Sequence, residues 1–233
     1  MSKLLAIGDV HGKDCWQNIV EKESWDKIIF LGDYFDPYRK NVDCCANFNA
    51  ILQFKKNNPE KVVLLLGNHD YQYLPGIDYG RYSRFNRWLA PRITSSVGSA
   101  LSQNLIQLAY QEGNIVFTHA GITDCWYKTK CLNQTSKTGI EYVAENINKA
   151  DLDKFRFSDA SWDVYGESTD NSPLWIRDNA LKQNPLKGIK QVVGHTRQSK
   201  IKSSDDKCLW WIDVLDSTEE YLSIVDGIFK VVE

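Results

Sequence analysis

The chain has 233 residues, 42% of them hydrophobic and 25% charged, a length and balance that suit one globular domain with a sizeable core. A formal net charge of -2 offers no basic excess of the kind that coats nucleic acid or an anionic membrane. The N-terminus reaches Gly8-Asp9 before a signal-peptide core could form, and no apolar run approaches the length of a bilayer span. Six cysteines without a CxxC pair point to reduced thiols in a cytoplasmic protein rather than a disulfide framework or a zinc-thiolate site.

Three short apolar runs in the first third, Leu4 to Ile7, Lys27 to Leu31 and Lys61 to Leu66, are rich in Ile, Val and Leu and end at glycine. They read as buried strands, and the helix-compatible stretches between them, Asp14 to Glu21 and Asp43 to Lys56, predict right-handed crossovers and a parallel sheet. Ligands in such sheets gather beyond the carboxyl ends of the strands. Tyr71 to Ser102 reads as helical, with Arg81, Arg84 and Arg87 at helical spacing and Pro91 closing the run. Leu105 to Ala109 and Ile115 to Phe117 flank the turn Gln111-Glu112-Gly113-Asn114 and predict a hairpin.

A helical insert from Ile140 to Phe157 and a polar loop from Ser158 to Ser172 follow. Four short apolar runs then close the chain: Gln191 to Val193, Cys208 to Val214, Tyr221 to Val225 and Ile228 to Val231. Turn residues separate them, which predicts a largely antiparallel second sheet packed on the first. There is no internal repeat or Pro/Gly/Ser-rich linker, so residues 1–233 read as a single domain, with 71–102 and 126–172 as cap or insert segments.

All four histidines fall in short motifs that each follow an apolar run: Gly8-Asp9-Val10-His11-Gly12, Gly67-Asn68-His69-Asp70, Thr118-His119-Ala120-Gly121 and Gly194-His195-Thr196. Adding Gly32-Asp33-Tyr34-Phe35-Asp36 completes an inventory of Asp, His and Asn donors able to hold two divalent cations side by side. Asp9 and His11 alternate by two, which on an extended chain turns both side chains to one face. Asp33 is the natural bridge, because one carboxylate can offer an oxygen to each of two cations roughly 3.5 to 4 Å apart. Asn68 can supply a carbonyl oxygen, and His119 and His195 imidazole nitrogens, to the second ion. Alone, an Asp after a strand is most often an N-cap and a His at a sheet edge a satisfied polar residue; six such residues in this pattern favour a metal site.

The set GDVHG, GDYFD, GNHD, THAG and GHT resembles the calcineurin-like metallophosphoesterase superfamily, in the branch of bacterial and phage serine/threonine phosphatases and symmetrical diadenosine tetraphosphate hydrolases. The motifs span residues 8 to 196. The resemblance implies an α/β fold, a four-layer α-β-β-α sandwich with two central mixed β-sheets, and a dinuclear site holding Mn, with Fe or Zn as alternatives. It implies a first metal held by Asp9, His11 and Asp33 and a second by Asp33, Asn68, His119 and His195. His69 matches the family's general acid and Asp36 the carboxylate that orients it. Arg177 falls in a stretch resembling the phosphate-clamping arginine segment, with a surface Arg beside Asp178 as the plainer reading.

Two departures stand out. Pro37-Tyr38 follows Asp36 where family phosphatases often have Arg-Gly, so one expected phosphate-binding arginine is missing, with Arg39, Arg81 or Arg84 as candidate substitutes. Arg197 stands where nuclease and phosphodiesterase branches often place a further histidine, which favours the phosphatase-like branch. The resemblance thus implies a phosphoric ester hydrolase acting on phosphoserine and phosphothreonine proteins or small phosphoesters through attack of a metal-bridging hydroxide. Two alternatives stand beside it: hydrolysis of a dinucleoside polyphosphate or other diester, its base stacked on the Tyr71 to Trp88 aromatics, and a silent scaffold of the same fold.

Overall fold

A computed structural model describes residues 2–77, 84–132, 137–157, 163 and 165–233 of the chain. In β1 (Lys3–Ile7), β2 (Lys27–Phe30) and β3 (Val62–Leu65) every residue except the opening lysines of β1 and β2 is buried. Continuous burial means that both faces of the sheet are covered, as parallel crossovers require. The further strands are β4 (Ile106–Gln107), β5 (Ala109–Glu112), β6 (Ile115–Thr118), β7 (Lys190–Val193), β8 (Lys202–Ser203), β9 (Leu209–Trp211), β10 (Tyr221–Val225) and β11 (Ile228–Val232). The α-helices are α1 (Trp16–Lys22), α2 (Cys44–Asn57), α3 (Asn68–Tyr71), α4 (Ala90–Ser102), α5 (Asp124–Trp126), α6 (Val143–Lys149) and α7 (Asp178–Gln183). Among the described residues no helix is long and apolar enough to cross a membrane.

The strands form two mixed sheets, ordered β11-β10-β1-β2-β3-β4 and β5-β6-β7-β9-β8. Alternate residues of the first sheet feed different cores. Leu4, Ala6, Ile29, Leu31, Val63 and Leu65 meet Phe117, Val192 and Trp210 of the second sheet between the layers. Leu5, Ile7, Ile28, Phe30, Val62 and Leu64 face outward, under Trp16 and Ile19 of α1, Phe48 and Ile51 of α2 and Val97 of α4. Beyond the second sheet, Val193, Leu209 and Trp211 pack on Ala180 and Leu181 of α7. The four-layer sandwich therefore follows from strands buried on both faces.

Four local expectations are corrected. The closing strands do not make one antiparallel sheet: β10 and β11 extend the first sheet, antiparallel to β1, whereas β6, β7 and β9 run parallel in the second. Leu105 to Ala109 is split, β4 ending the first sheet and β5 opening the second, and the hairpin turn shrinks to Gly113-Asn114, with Glu112 opposite Ile115. Pro91 opens α4 rather than closing a helix, because a fixed φ and a missing N–H suit a first helical turn. Arg84 and Arg87 are not helical, and Arg81 lies outside the described residues. The insert predicted from Ile140 to Phe157 is α6 flanked by the 3-10 turns Ile140–Tyr142 and Leu152–Phe155.

Candidate metal centre and its rim

Six parallel strands drawn from both sheets, β1, β2, β3, β6, β7 and β9, point their carboxyl ends at one rim. Asp9 and His11 follow β1, Asp33 and Asp36 follow β2, Asn68 and His69 follow β3, His119 follows β6 and His195 follows β7. All eight side chains are buried. The loops are welded by backbone-to-carboxylate bonds: the His195 N–H donates to Asp9 at 3.1 Å and the His69 N–H to Asp33 Oδ1 at 2.8 Å. Glycine is required where they touch, since a Cβ on Gly67 would lie 2.2 Å from Asp33 Oδ1 and one on Gly194 2.0 Å from Asp9 Oδ1.

Four of these residues have left-handed backbone: His11 at φ 45°, Asp33 at 53°, Asp36 at 56° and His195 at 62°. Non-glycine residues there carry strain of about 1–3 kcal/mol each, tolerated where surrounding bonds fix the loop, and such strain gathers at functional sites. The pairing of Asp9 with His11 thus comes from a turn beyond β1, not from extended alternation. Donor atoms of Asp9, His11 and Asp33 nonetheless lie within 4.8 Å of one another.

The imidazoles are prepared to donate electron pairs inward. His11 and His119 give their Nδ1–H to the carbonyls of Phe35 (2.7 Å) and Leu31 (2.8 Å), which leaves Nε2 with a lone pair. His195 gives Nε2–H to Trp175 O at 3.2 Å and turns Nδ1 inward. His119 Nε2 and His195 Nδ1 each lie 2.8 Å from Asn68 Oδ1, so three acceptors converge with no proton between them. Asp33 spans the two groups, Oδ2 3.6 Å from His11 Nε2 and Oδ1 3.5 Å from His119 Nε2. Burial lowers the proton affinity of all three histidines, that of His119 to about 3, and keeps them neutral. Burial, and after it repulsion from Asp213 on Asp9 and from Asp70 on Asp33, raises both carboxyls. Converging lone pairs ringed by buried carboxylates make a site that a cation completes.

His69 is arranged differently. Its Nδ1 faces Asp36 Oδ2 at 2.9 Å, and its Nε2 accepts from Arg84 Nη2 at 2.9 Å. Burial lowers its proton affinity and the bond to Asp36 pulls it back up. Asp36 is itself held by Gln72 Nε2 and the Tyr73 hydroxyl. Arg177 reaches the centre's edge, Nη1 on His195 O at 3.1 Å and Nε on Tyr165 O at 3.1 Å.

Sequence reasoning missed Asp70, Asp213, Gln72 and Tyr73. Asp70 stands inside a motif without a role assigned to it. Asp213 ends the run Leu209-Trp210-Trp211-Ile212, the same apolar-run-then-acid pattern as Asp9 and Asp33 but without glycine or histidine, and that is the signal that could have found it. Burial lifts its carboxyl to about 6.

A two-sheet sandwich that delivers a buried Asp, His and Asn cradle from parallel strand ends defines the metal-dependent phosphoesterase class. The profile of the calcineurin-like phosphoesterase family matches residues 2–222, and the chain belongs to that family. Among solved structures, the cold-active protein-tyrosine phosphatase of a psychrophile Shewanella sp. is 16% identical with a TM-score of 0.57, covering 100% of this chain and 81% of that one. A protein serine/threonine phosphatase from Saccharomyces cerevisiae, similar to human phosphatase PP5, is 16% identical with a TM-score of 0.59, covering 100% of this chain and 80% of its own. A putative diadenosine tetraphosphatase is 15% identical with a TM-score of 0.52, covering 99% and 93%. At these identities the likeness is one of fold. Among curated proteins none matches the sequence. Family membership and the Asp9, His11 and Asp33 cluster support divalent metal binding.

Proposed function

We propose that the protein is a dinuclear metal-dependent phosphomonoesterase, with phosphoserine and phosphothreonine proteins as its substrate class and Mn²⁺ as its preferred metal. The observation that carries this reading is the meeting of Asn68 Oδ1, His119 Nε2 and His195 Nδ1 on one side of Asp33, with Asp9 and His11 on the other. Asp9, His11 and Asp33 would hold the first cation, and Asp33, Asn68, His119 and His195 the second. When bound, the two cations acidify the attacking water and neutralise the phosphoryl oxygens. Asp36 would orient His69 through Nδ1, and Nε2, which here accepts from Arg84, would hand a proton to the leaving alkoxide once the imidazole has taken one from solvent. Arg177, beside His195, would grip the phosphoryl group with the guanidinium N–H groups not given to His195 O and Tyr165 O.

Of the aromatics after His69, Tyr71 and Tyr73 are fully buried and Phe85 stacks on Tyr73 at 4.7 Å, which takes these three from base stacking; Trp88 is 94% exposed, and Tyr79 and Tyr82 lie outside the described residues. The first three serve packing. With Mn²⁺ present, the protein should release phosphate from a phosphopeptide faster than it cleaves a dinucleoside tetraphosphate. The opposite ranking would move it to the anhydride hydrolases, and inactivity on every phosphoester would leave a scaffold. Metal analysis should find two ions per chain, and loss of metal from His69→Ala would make His69 a ligand.

A further inference from the structure

Arg84 reaches the centre from 48 residues along the chain, its Nη1 donating to the backbone oxygen of Asp36 at 2.7 Å. That carbonyl belongs to the peptide leading into Pro37, where the expected arginine is lacking. Nη2 of the same guanidinium rests on His69 Nε2 at 2.9 Å, and its carbon stands 3.7 Å above the Tyr38 ring. Tyr38 in turn meets His11 edge-on at 4.9 Å. The guanidinium is thus laid flat on an aromatic rest between the general-acid candidate and a first-metal ligand. Its positive field reaches His11, Asp33 and His69.

Lys13, Arg197 and Arg39 also stand near the rim. Lys13 pairs with Asp216 at 2.8 Å and half-exposed Arg197 stands 3.9 Å from the same carboxylate; they lie 6.0 and 5.2 Å from the Tyr38 ring centre, against 3.7 Å for Arg84. Arg39 lines an outer cleft with Val42 and Asn47 and shares with Arg84 the smaller pocket edged by Asp36 and Pro37. Among the described residues Arg84 has no carboxylate partner; its contacts are a carbonyl, a neutral imidazole and the Tyr38 ring. A buried-edge guanidinium without an anion, facing a centre that takes one, is a vacant half of an ion pair.

We propose that Arg84 is the second phosphoryl-gripping residue of this enzyme, opposite Arg177, and supplies from the segment before α4 the positive charge missing at Pro37. This rests on the phosphoesterase reading. In the resting protein Nη2 occupies His69 Nε2; an arriving phosphoryl group offers a stronger acceptor, takes that N–H, and leaves the imidazole free to face the leaving oxygen. The substrate class that fits is a terminal phosphoryl dianion, whose extra oxygen charge two guanidinia can share.

The test is titration calorimetry of the Mn²⁺-loaded protein with inorganic phosphate, beside kinetics on an aryl phosphate and thermal melting. Arg84→Gln should weaken phosphate binding about tenfold or more, the loss of a charge-assisted pair. Arg84→Lys, which keeps the charge without the planar fork, should fall between that variant and the unaltered protein. KM should rise with the phosphate dissociation constant. A purely structural Arg84 would instead lower the melting temperature and leave phosphate affinity alone. Either variant, folded and binding phosphate as tightly as the unaltered protein, overturns the proposal while the phosphoesterase reading stands. If the unaltered protein neither binds phosphate nor hydrolyses a phosphoester, both fall.

Discussion

Asp70 is fully buried and touches no candidate ligand through its own side chain except by holding backbone. Its Oδ2 accepts the N–H of Asp33 at 2.8 Å and of Gly67 at 2.9 Å, and its Oδ1 accepts that of Tyr34 at 2.8 Å. One carboxylate therefore braces the loop after β2 against the loop after β3, with Asp33 at the joint. Asp70→Ala removes the acceptor and strands three buried donors, each costing about 1–3 kcal/mol, or about 3–9 kcal/mol in all. Against a typical stability of about 5–15 kcal/mol this is a large share. Asp70→Asn keeps one oxygen for the Asp33 and Gly67 donors and turns an amide toward Tyr34 N–H, so it strands one donor and should cost about 1–3 kcal/mol. Urea unfolding of the metal-free variants measures both, and metal analysis of any Asp70→Asn protein tests whether Asp33 is still presented. Asp70→Ala unfolding within about 1 kcal/mol of the unaltered protein, less than one stranded donor, would refute the brace.

His69→Ala should lower turnover about 10²–10⁴-fold, the usual worth of a positioned proton donor, with metal content unchanged by elemental analysis. Gly67→Ala should lose metal, because its Cβ would stand 2.2 Å from Asp33 Oδ1; unaltered metal affinity would show that the loop yields freely. Asp163 gives a pH test. Burial raises its carboxyl, but the N–H groups of Gly166, Glu167 and Ser168, each at 2.8 Å, and the Asn171 amide outweigh it and set the acid below its ordinary value. A depressed carboxyl stabilises the fold above its unfolded pKa of about 3.9 and loses that contribution as pH falls through the lower folded value. The stability gap between the unaltered protein and Asp163→Asn, read by urea unfolding, should therefore be full near neutrality and shrink below about pH 4. Since Gly166 O accepts Arg177 N–H at 3.0 Å, the same variant should also raise KM.

Much of the fold and of the candidate site was legible along the chain because both rest on local grammar. A short Ile, Val and Leu run with no alternation announces a strand covered on both faces. A Gly-flanked Asp, His or Asn straight after it sits where loops leave the sheet, and the structure gathers all the residues so marked. What the sequence could not decide was any pairing between distant segments. Tyr221 to Val225 and Gln191 to Val193 are both short apolar runs, yet one lies beside β1 and the other beside β6. The left-handed turns of His11 and Asp33 arise from bonds between loops, and neither residue type announces them. Arg84 and Asp213 sit in no glycine-flanked motif; the folding of the segment before α4 over Tyr38, and the pairing of β9 with β7, bring them to the rim. Composition and periodicity encode what each residue does with its neighbours in sequence, whereas packing of the two sheets sets what it does with everything else.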